Sequence, residues 1–155
     1  MKRIGILFLS SVLLILSDGC KKEELTHITD FEMNVHAAVN DYRVFKGLSE
    51  ITLQYIMVDD AQSYSQKMAR GQIDYGVDSI IMQSLNVLKT NLGGDATGAV
   101  VQFSEIDNAD SIVNRMVRDP IKRQILEQNF NLTGVGSAKD ADGHWYVTQL
   151  FIHMP

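Results

Sequence analysis

The chain has 155 residues, 45% hydrophobic and 21% charged, with a formal charge of −5. That is enough for one domain with a real core and too little for two. Its single cysteine excludes an internal disulfide. An acidic balance without a basic cluster excludes nucleic acid and anionic lipid headgroups as natural partners of the surface.

Lys2 and Arg3 precede an apolar run from Ile4 to Leu16, broken only by Gly5 and two serines. A basic start and a run of about 13 apolar residues predict a secretory signal, because a membrane span needs about 20. Leu16-Ser17-Asp18-Gly19-Cys20 resembles a bacterial lipobox, with Leu16 one place early and Asp18 at an unusual position. The resemblance implies that residues 1–19 are a lipoprotein signal peptide and that Cys20 carries the lipid as first residue of the mature chain. Cleavage removes Lys2, Arg3 and Asp18, so the charge moves from −5 to −6. Residues 20–30 read as a short lipidated tether. Lys22-Glu23-Glu24 resembles the charged export tag of lipoproteins displayed on the outer surface in some bacteria, and it equally suits a plain solvated tether. Acyl chains at Cys20 are then the contact with the membrane.

Asp30 is a candidate N-cap for a first helix. Val35, Ala38, Val39 and Tyr42 recur there at helical spacing, and Gly47 is the natural stop. Leu48 to Ile51 reads as a linking segment. A second helix is predicted from about Leu53 to Ala69, with Met57, Ala61, Tyr64 and Met68 as its apolar stripe. Gln72 to Asp78 reads as a loop. A third helix runs from about Ser79 to Lys89, ended by the breaker Asn91-Leu92-Gly93-Gly94-Asp95. Ala99 to Phe103 reads as a strand. Asn108 can cap a fourth helix carrying Ala109, Ile112, Val113 and Met116, which Asp119-Pro120 interrupts; Ile121 to Gln128 is a short helix or turn.

Asn131 to Ile152 then reads as a strand, a turn ending in Asp142-Gly143, and a second strand. Gly134 and Gly136 alternate, so one face of the first strand lacks side chains and admits close approach by another element. In the second strand Trp145, Val147, Gln149 and Phe151 share one face, and Tyr146, Thr148, Leu150 and Ile152 the other. Both faces are largely apolar, which predicts a central strand covered on both sides. The order of elements gives a three-layer α/β/α sandwich on a small, mostly antiparallel sheet of about three strands.

The chemistry-bearing residues are sparse. The four histidines His27, His36, His144 and His153 include no i, i+4 pair of a helical metal site. Asp140-Ala141-Asp142-Gly143 is like the middle of a calcium loop but lacks the later Glu, so a hairpin turn is the expected use. No serine lies in a G-x-S-x-G elbow. An enzyme would need a rebuilt site, for instance Glu105 with His144.

Several phrases, in order, resemble the CAP superfamily, also called SCP-like. Asn40-Asp41-Tyr42-Arg43 with Lys46-Gly47-Leu48 is similar to its opening helix. Ala61-Gln62-Ser63-Tyr64-Ser65 with Met68-Ala69 is similar to its second helix. Asp119-Pro120-Ile121-Lys122-Arg123-Gln124-Ile125-Leu126 resembles its Ser-Pro-Gly-His-Arg turn. Phe130 to Gly136, and Asp142-Gly143 with Tyr146 to Phe151, resemble its closing hairpin. The likeness spans about residues 31 to 152 and resembles most the bacterial, disulfide-free branch.

That family's cavity usually carries two histidines and two acids, sometimes with a divalent metal. Here the matching positions hold Tyr75, Lys122 and, in place of an acid, Ala99; Met116 falls where a tryptophan is usual. The resemblance therefore implies the fold and a groove, with neither cofactor nor metal. The groove residues it points to are Tyr75, Lys122, Tyr146 and Gln149. The expectation is a CAP-like domain over residues 31–155, anchored in the cell envelope through Cys20, and binding an extracytoplasmic ligand or protein without catalysis. An envelope-acting hydrolase and a lipid or sterol carrier are the alternatives.

Overall fold

The computed structural model describes residues 27–155; the leader, Cys20 and most of the tether lie outside the described residues. The elements in chain order are α1 (Asp30–Phe45), β1 (Thr52–Leu53), α2 (Tyr55–Ala69), α3 (Ser79–Leu92), β2 (Ala96–Ser104), α4 (Ala109–Arg118), α5 (Pro120–Leu126), β3 (Leu132–Lys139) and β4 (Trp145–His153). Among the described residues no helix is long and apolar enough to cross a membrane.

The strands form one sheet in the order β1-β3-β4-β2. β4 pairs antiparallel with β3 and with β2, and β1 runs parallel to β3. β4 is thus interior, as its two apolar faces require. Val147 and Phe151 pack with Val35 and Val39 of α1 and with Ile112, Val113 and Met116 of α4. Leu150 and Ile152 pack on the other side with Met57, Ala61 and Tyr64 of α2 and Ile81 and Leu85 of α3. Burial of each such side chain contributes about 1.5–3 kcal/mol, so the single strand anchors both outer layers.

Gly134 and Gly136 let α2 lie directly on β3. A Cβ at Gly134 would run into the backbone of Met57, and one at Gly136 into the backbone of Ala61 and Gln62. Ser65 uses this closeness: its hydroxyl donates to the Gly136 carbonyl at 3.0 Å and shares a hydroxyl–hydroxyl hydrogen bond with Thr148 Oγ1 at 2.8 Å.

Three local expectations are corrected. The N-cap of α1 is Thr29, not Asp30: Thr29 Oγ1 accepts from the Glu32 N–H, and Glu32 returns the bond to the Thr29 N–H. This capping box is stronger than a lone aspartate. Thr52–Leu53 is a strand, not the entry to the second helix, because the Thr52 and Gln54 N–H groups find the Asn131 and Thr133 carbonyls at 2.8 Å. The sheet accordingly has four strands.

Two buried charged side chains tie the layers together. Glu32 Oε1 accepts from the Ser137 N–H at 2.7 Å and the Ser137 hydroxyl at 3.0 Å, and its Oε2 accepts from Gln62 at 2.9 Å. Arg43 donates to the carbonyls of Ser49, Leu126, Gln128 and Phe130 at 2.6–3.2 Å. A buried charge is tolerable only when so satisfied.

Candidate functional site

The outer side of β2 carries no neighbouring strand. β4 holds its inner side through an unbroken register from Ala96↔His153 to Ser104↔Trp145. Backbone groups alternate in direction along a strand, and those of Val101 and Phe103 point away from β4. There the Tyr75 hydroxyl donates to the Val101 carbonyl at 3.2 Å and accepts from the Phe103 N–H at 3.3 Å. The same alternation turns Thr97 and Ala99 outwards. Their N–H and C=O groups, and the Val101 N–H, have no hydrogen-bond partner among the described residues.

This edge is the floor of a mostly apolar groove of about 530 Å³. Ile121, Lys122 and Ile125 of α5 form one wall; Val77, from the loop after α2, and Met82 of α3 form the other. Val77 and Ile121, on opposite lips, are 45% and 73% exposed. Asp119 also borders the groove, and its carboxylate caps α5 by accepting from the Ile121 and Lys122 N–H groups.

Lys122 crosses the edge at one end. Its Nζ donates to the Tyr75 hydroxyl at 3.3 Å and to Gln102 Oε1 at 2.9 Å. Both acceptors are neutral, and among the described residues Lys122 has no ion-pair partner. Tyr146 packs behind: its ring lies 6.4 Å from that of Tyr75 and 5.4 Å from that of Phe103, edge-on in both cases. Tyr75, Lys122 and Tyr146 therefore come together. Gln149 does not. It is fully buried on the opposite face of β4, beside Val100 and Val135, where its amide donates to Thr133 Oγ1 at 3.2 Å.

The groove does not suit a divalent metal. An ammonium hydrogen-bonded to a tyrosine repels a dication, and Ala99 has no donor side chain. Among the described residues one acid–histidine group, Asp140, Asp142 and His144, has ligand atoms within 4.8 Å of one another. It lies in the β3–β4 turn, and Asp140 is already committed within that turn. Asp140 accepts from the N–H groups of Asp142 and His144 at 3.0 and 2.9 Å and contacts His144 Nδ1 at 3.1 Å. Burial pushes the Asp140 carboxyl up, but the bonds from His144 and Asp142 outweigh it and hold it below the usual carboxylate range. Gly143, at φ +87°, closes the turn. Glu105 is exposed and makes no hydrogen bond to His144 among the described residues.

The outward edge of β2, Gln102 and the lips Val77 and Ile121 were not legible as site residues, because only the strand order exposes that edge. Glu32 had a signal: Thr29-x-x-Glu32 has the spacing of a capping box.

No protein-family model and no curated protein matches the sequence. Solved structures do match the three-dimensional arrangement. An outer surface protein of Borrelia burgdorferi superposes with a TM-score of 0.64 at 15% identity, over 84% of this chain and 99% of that one. A cysteine-rich secretory protein of Staphylococcus aureus gives 0.65 at 14% identity, over 80% of this chain and 38% of that one. An extracellular protein containing an SCP domain from Bacillus anthracis gives 0.63 at 16% identity, over 80% and 40%. This chain has the fold of an SCP, or CAP-like, domain. It corresponds to well under half the length of the staphylococcal and bacillary chains. In this CAP-like frame, Arg43 of the Asn-Asp-Tyr-Arg phrase is a buried clamp on carbonyls, and Lys122 of the Asp-Pro turn stands in the groove.

Proposed function

We propose that this CAP-like domain is a non-catalytic binding module, held at the cell envelope through a lipid on Cys20. Its ligand-binding site is the groove along β2, and the ligand carries a negative charge. The observation behind this reading is Lys122: a cation with only neutral partners among the described residues, at the end of an apolar groove. An anionic group there gains a charge-assisted hydrogen bond, and the apolar walls add burial. The extracellular and surface character of the Bacillus and Borrelia proteins is in keeping with an envelope location for this one.

Two experiments test the reading. Cys20→Ser should leave the leader uncleaved by lipoprotein peptidase and abolish acyl labelling; normal processing and labelling would defeat the anchor. For the groove, the full chain in detergent is screened against arrayed acidic oligosaccharides and acidic peptides. Binding should drop about tenfold or more in Lys122→Ala, since a hydrogen bond to a charged group is lost. Equal binding by both proteins would remove the groove from the account. The apolar walls favour a second reading, a lipid carrier, which predicts instead that a fluorescent fatty acid binds and that Lys122→Ala changes nothing.

A further inference from the structure

We infer that the ligand is an extended peptide segment of a partner protein, which adds as a fifth strand along Thr97–Val101 and sets one acidic side chain on Lys122. The inference rests on the groove being the binding site, and it makes the main chain of β2 the principal recognition element.

The unused hydrogen-bonding groups are those a strand requires. Thr97 and Ala99 each present an outward N–H and C=O, and Val101 presents its N–H. Over five residues this row is about 14 Å long. Tyr75 already imitates the added strand at the far end: one hydroxyl donates to the Val101 carbonyl and accepts from the Phe103 N–H. It also marks where the peptide stops.

The usual protections of an exposed edge are missing from this stretch. Proteins blunt edges with lysines, prolines, bulges or very short strands. Thr97-Gly98-Ala99-Val100-Val101 holds no charge and no proline, and its pairing with β4 runs without a bulge. What guards it is recess. Ala99, Val100 and Val101 are 5%, 1% and 3% exposed, between α5 on one side and Val77 and Met82 on the other. Recess selects the occupant. A second copy would have to bring its own β2 together with its own α5 and α3, and these walls would meet first. A lone extended peptide fits between them.

Side-chain chemistry follows from the walls. Alternate residues of an added strand point to opposite faces. One set meets Ile121 and Ile125, the other Val77 and Met82, so apolar residues suit both. At the Val101 end the neutral-partnered Lys122 ammonium selects a carboxylate. Strand addition of this kind takes affinity from main-chain hydrogen bonds and specificity from such flanking contacts.

The test is panning of a random-peptide display library against the full chain in detergent, followed by titration of synthetic versions of the selected peptides. The expected winners are apolar-rich, free of internal proline, and carry an Asp or Glu. On binding, the amide protons of Thr97, Ala99 and Val101 should become protected from exchange. Ala99→Pro removes an outward N–H while leaving the ladder to β4 intact, and should weaken binding about tenfold. Thr97→Pro, at the more exposed end of the row, serves if Ala99→Pro lowers the melting temperature. Lys122→Glu should weaken acidic peptides by about the same factor and favour their Glu→Lys versions. Peptides that bind equally to both proline variants but not to Lys122→Glu would overturn strand addition and leave the groove reading standing. Selected peptides indifferent both to the proline variants and to Lys122→Glu would overturn both. A self-association abolished by Ala99→Pro would assign the edge to a second copy instead.

Discussion

The two edges of this sheet treat the same backbone chemistry in opposite ways. On the β3 side the edge is filled from within the chain. β1 supplies the Thr52 and Gln54 N–H groups to the Asn131 and Thr133 carbonyls, and buried Glu32 takes the Ser137 N–H. Arg43 then clamps the segment leading into β3 through the carbonyls of Leu126, Gln128 and Phe130. On the β2 side the capping group is one side chain, Tyr75, itself 50% exposed, and the outward groups of Thr97 and Ala99 stay unpaired among the described residues. An edge group satisfied by a buried charge belongs to the stability of the fold. An edge group left recessed and unpaired keeps its hydrogen-bonding capacity for an added strand.

That contrast can be broken by substitution. The largest expected effect is Arg43→Met, which strips partners from four carbonyls in a buried setting and should cost about 3 kcal/mol or more in urea unfolding. A loss near zero would mean that water replaces the guanidinium and that this side is not closed. Next comes Gly136→Val, where the added side chain strikes the α2 backbone at Ala61 and Gln62. About 3 kcal/mol is expected, with α2 shifted off β3. Unchanged thermal stability would show an open strand face.

On the other edge, Tyr75→Phe should cost only about 1 kcal/mol, because it frees one carbonyl and one N–H beside the groove, against four carbonyls for Arg43. A cost matching that of Arg43→Met would erase the distinction between the edges. A finer comparison uses alkaline pH. Burial, then the bond to Glu127, raises Tyr42 to about 12; burial, then Asp78, does the same for Tyr64. A raised folded-state value means that the unfolded chain loses its phenolic protons first. The stabilisation is therefore whole below pH 10 and is lost as pH climbs towards 12. Melting temperature should fall across that window, and less steeply in Tyr42→Phe with Tyr64→Phe. An equal fall in the double variant would assign the effect elsewhere.

The smallest expected effect is none: zinc titrated into the protein should give no saturable micromolar site, and chelator should leave the melting temperature unchanged. Tyr75→His with Lys122→His should gain affinity if the groove is the family's cavity refilled. Stoichiometric binding by the unaltered protein, lost in His144→Ala, would move attention to the Asp140 turn.

Much of this was legible residue by residue. The apolar stripe Met57, Ala61, Tyr64 and Met68 and the bare face at Gly134 and Gly136 declare helix and strand surfaces that meet. Strand alternation alone separates Gln149 from Tyr146; grouping them in one groove followed the likeness to the CAP pattern and not the geometry of the strand. The two-residue β1 is too short for periodicity to register. Arg43 reads as a surface residue near a helix end until Leu126, Gln128 and Phe130 are folded against it.

Taken alone, then, the sequence determined what periodicity and local chemistry can encode: four of the helices, the closing hairpin, the interior place of β4, and an acidic chain with one cysteine. The likeness of its phrases to the CAP pattern also pointed to Tyr75 and Lys122 as groove residues. The tertiary structure decided which strand edge is left over. Strand order is a long-range property: β2 meets β4 across more than forty residues of chain, and nothing near Thr97 marks its outer side as unpaired. Only when α5 and the loop before α3 close on either side do a bare backbone, two apolar lips and a lone ammonium become one surface.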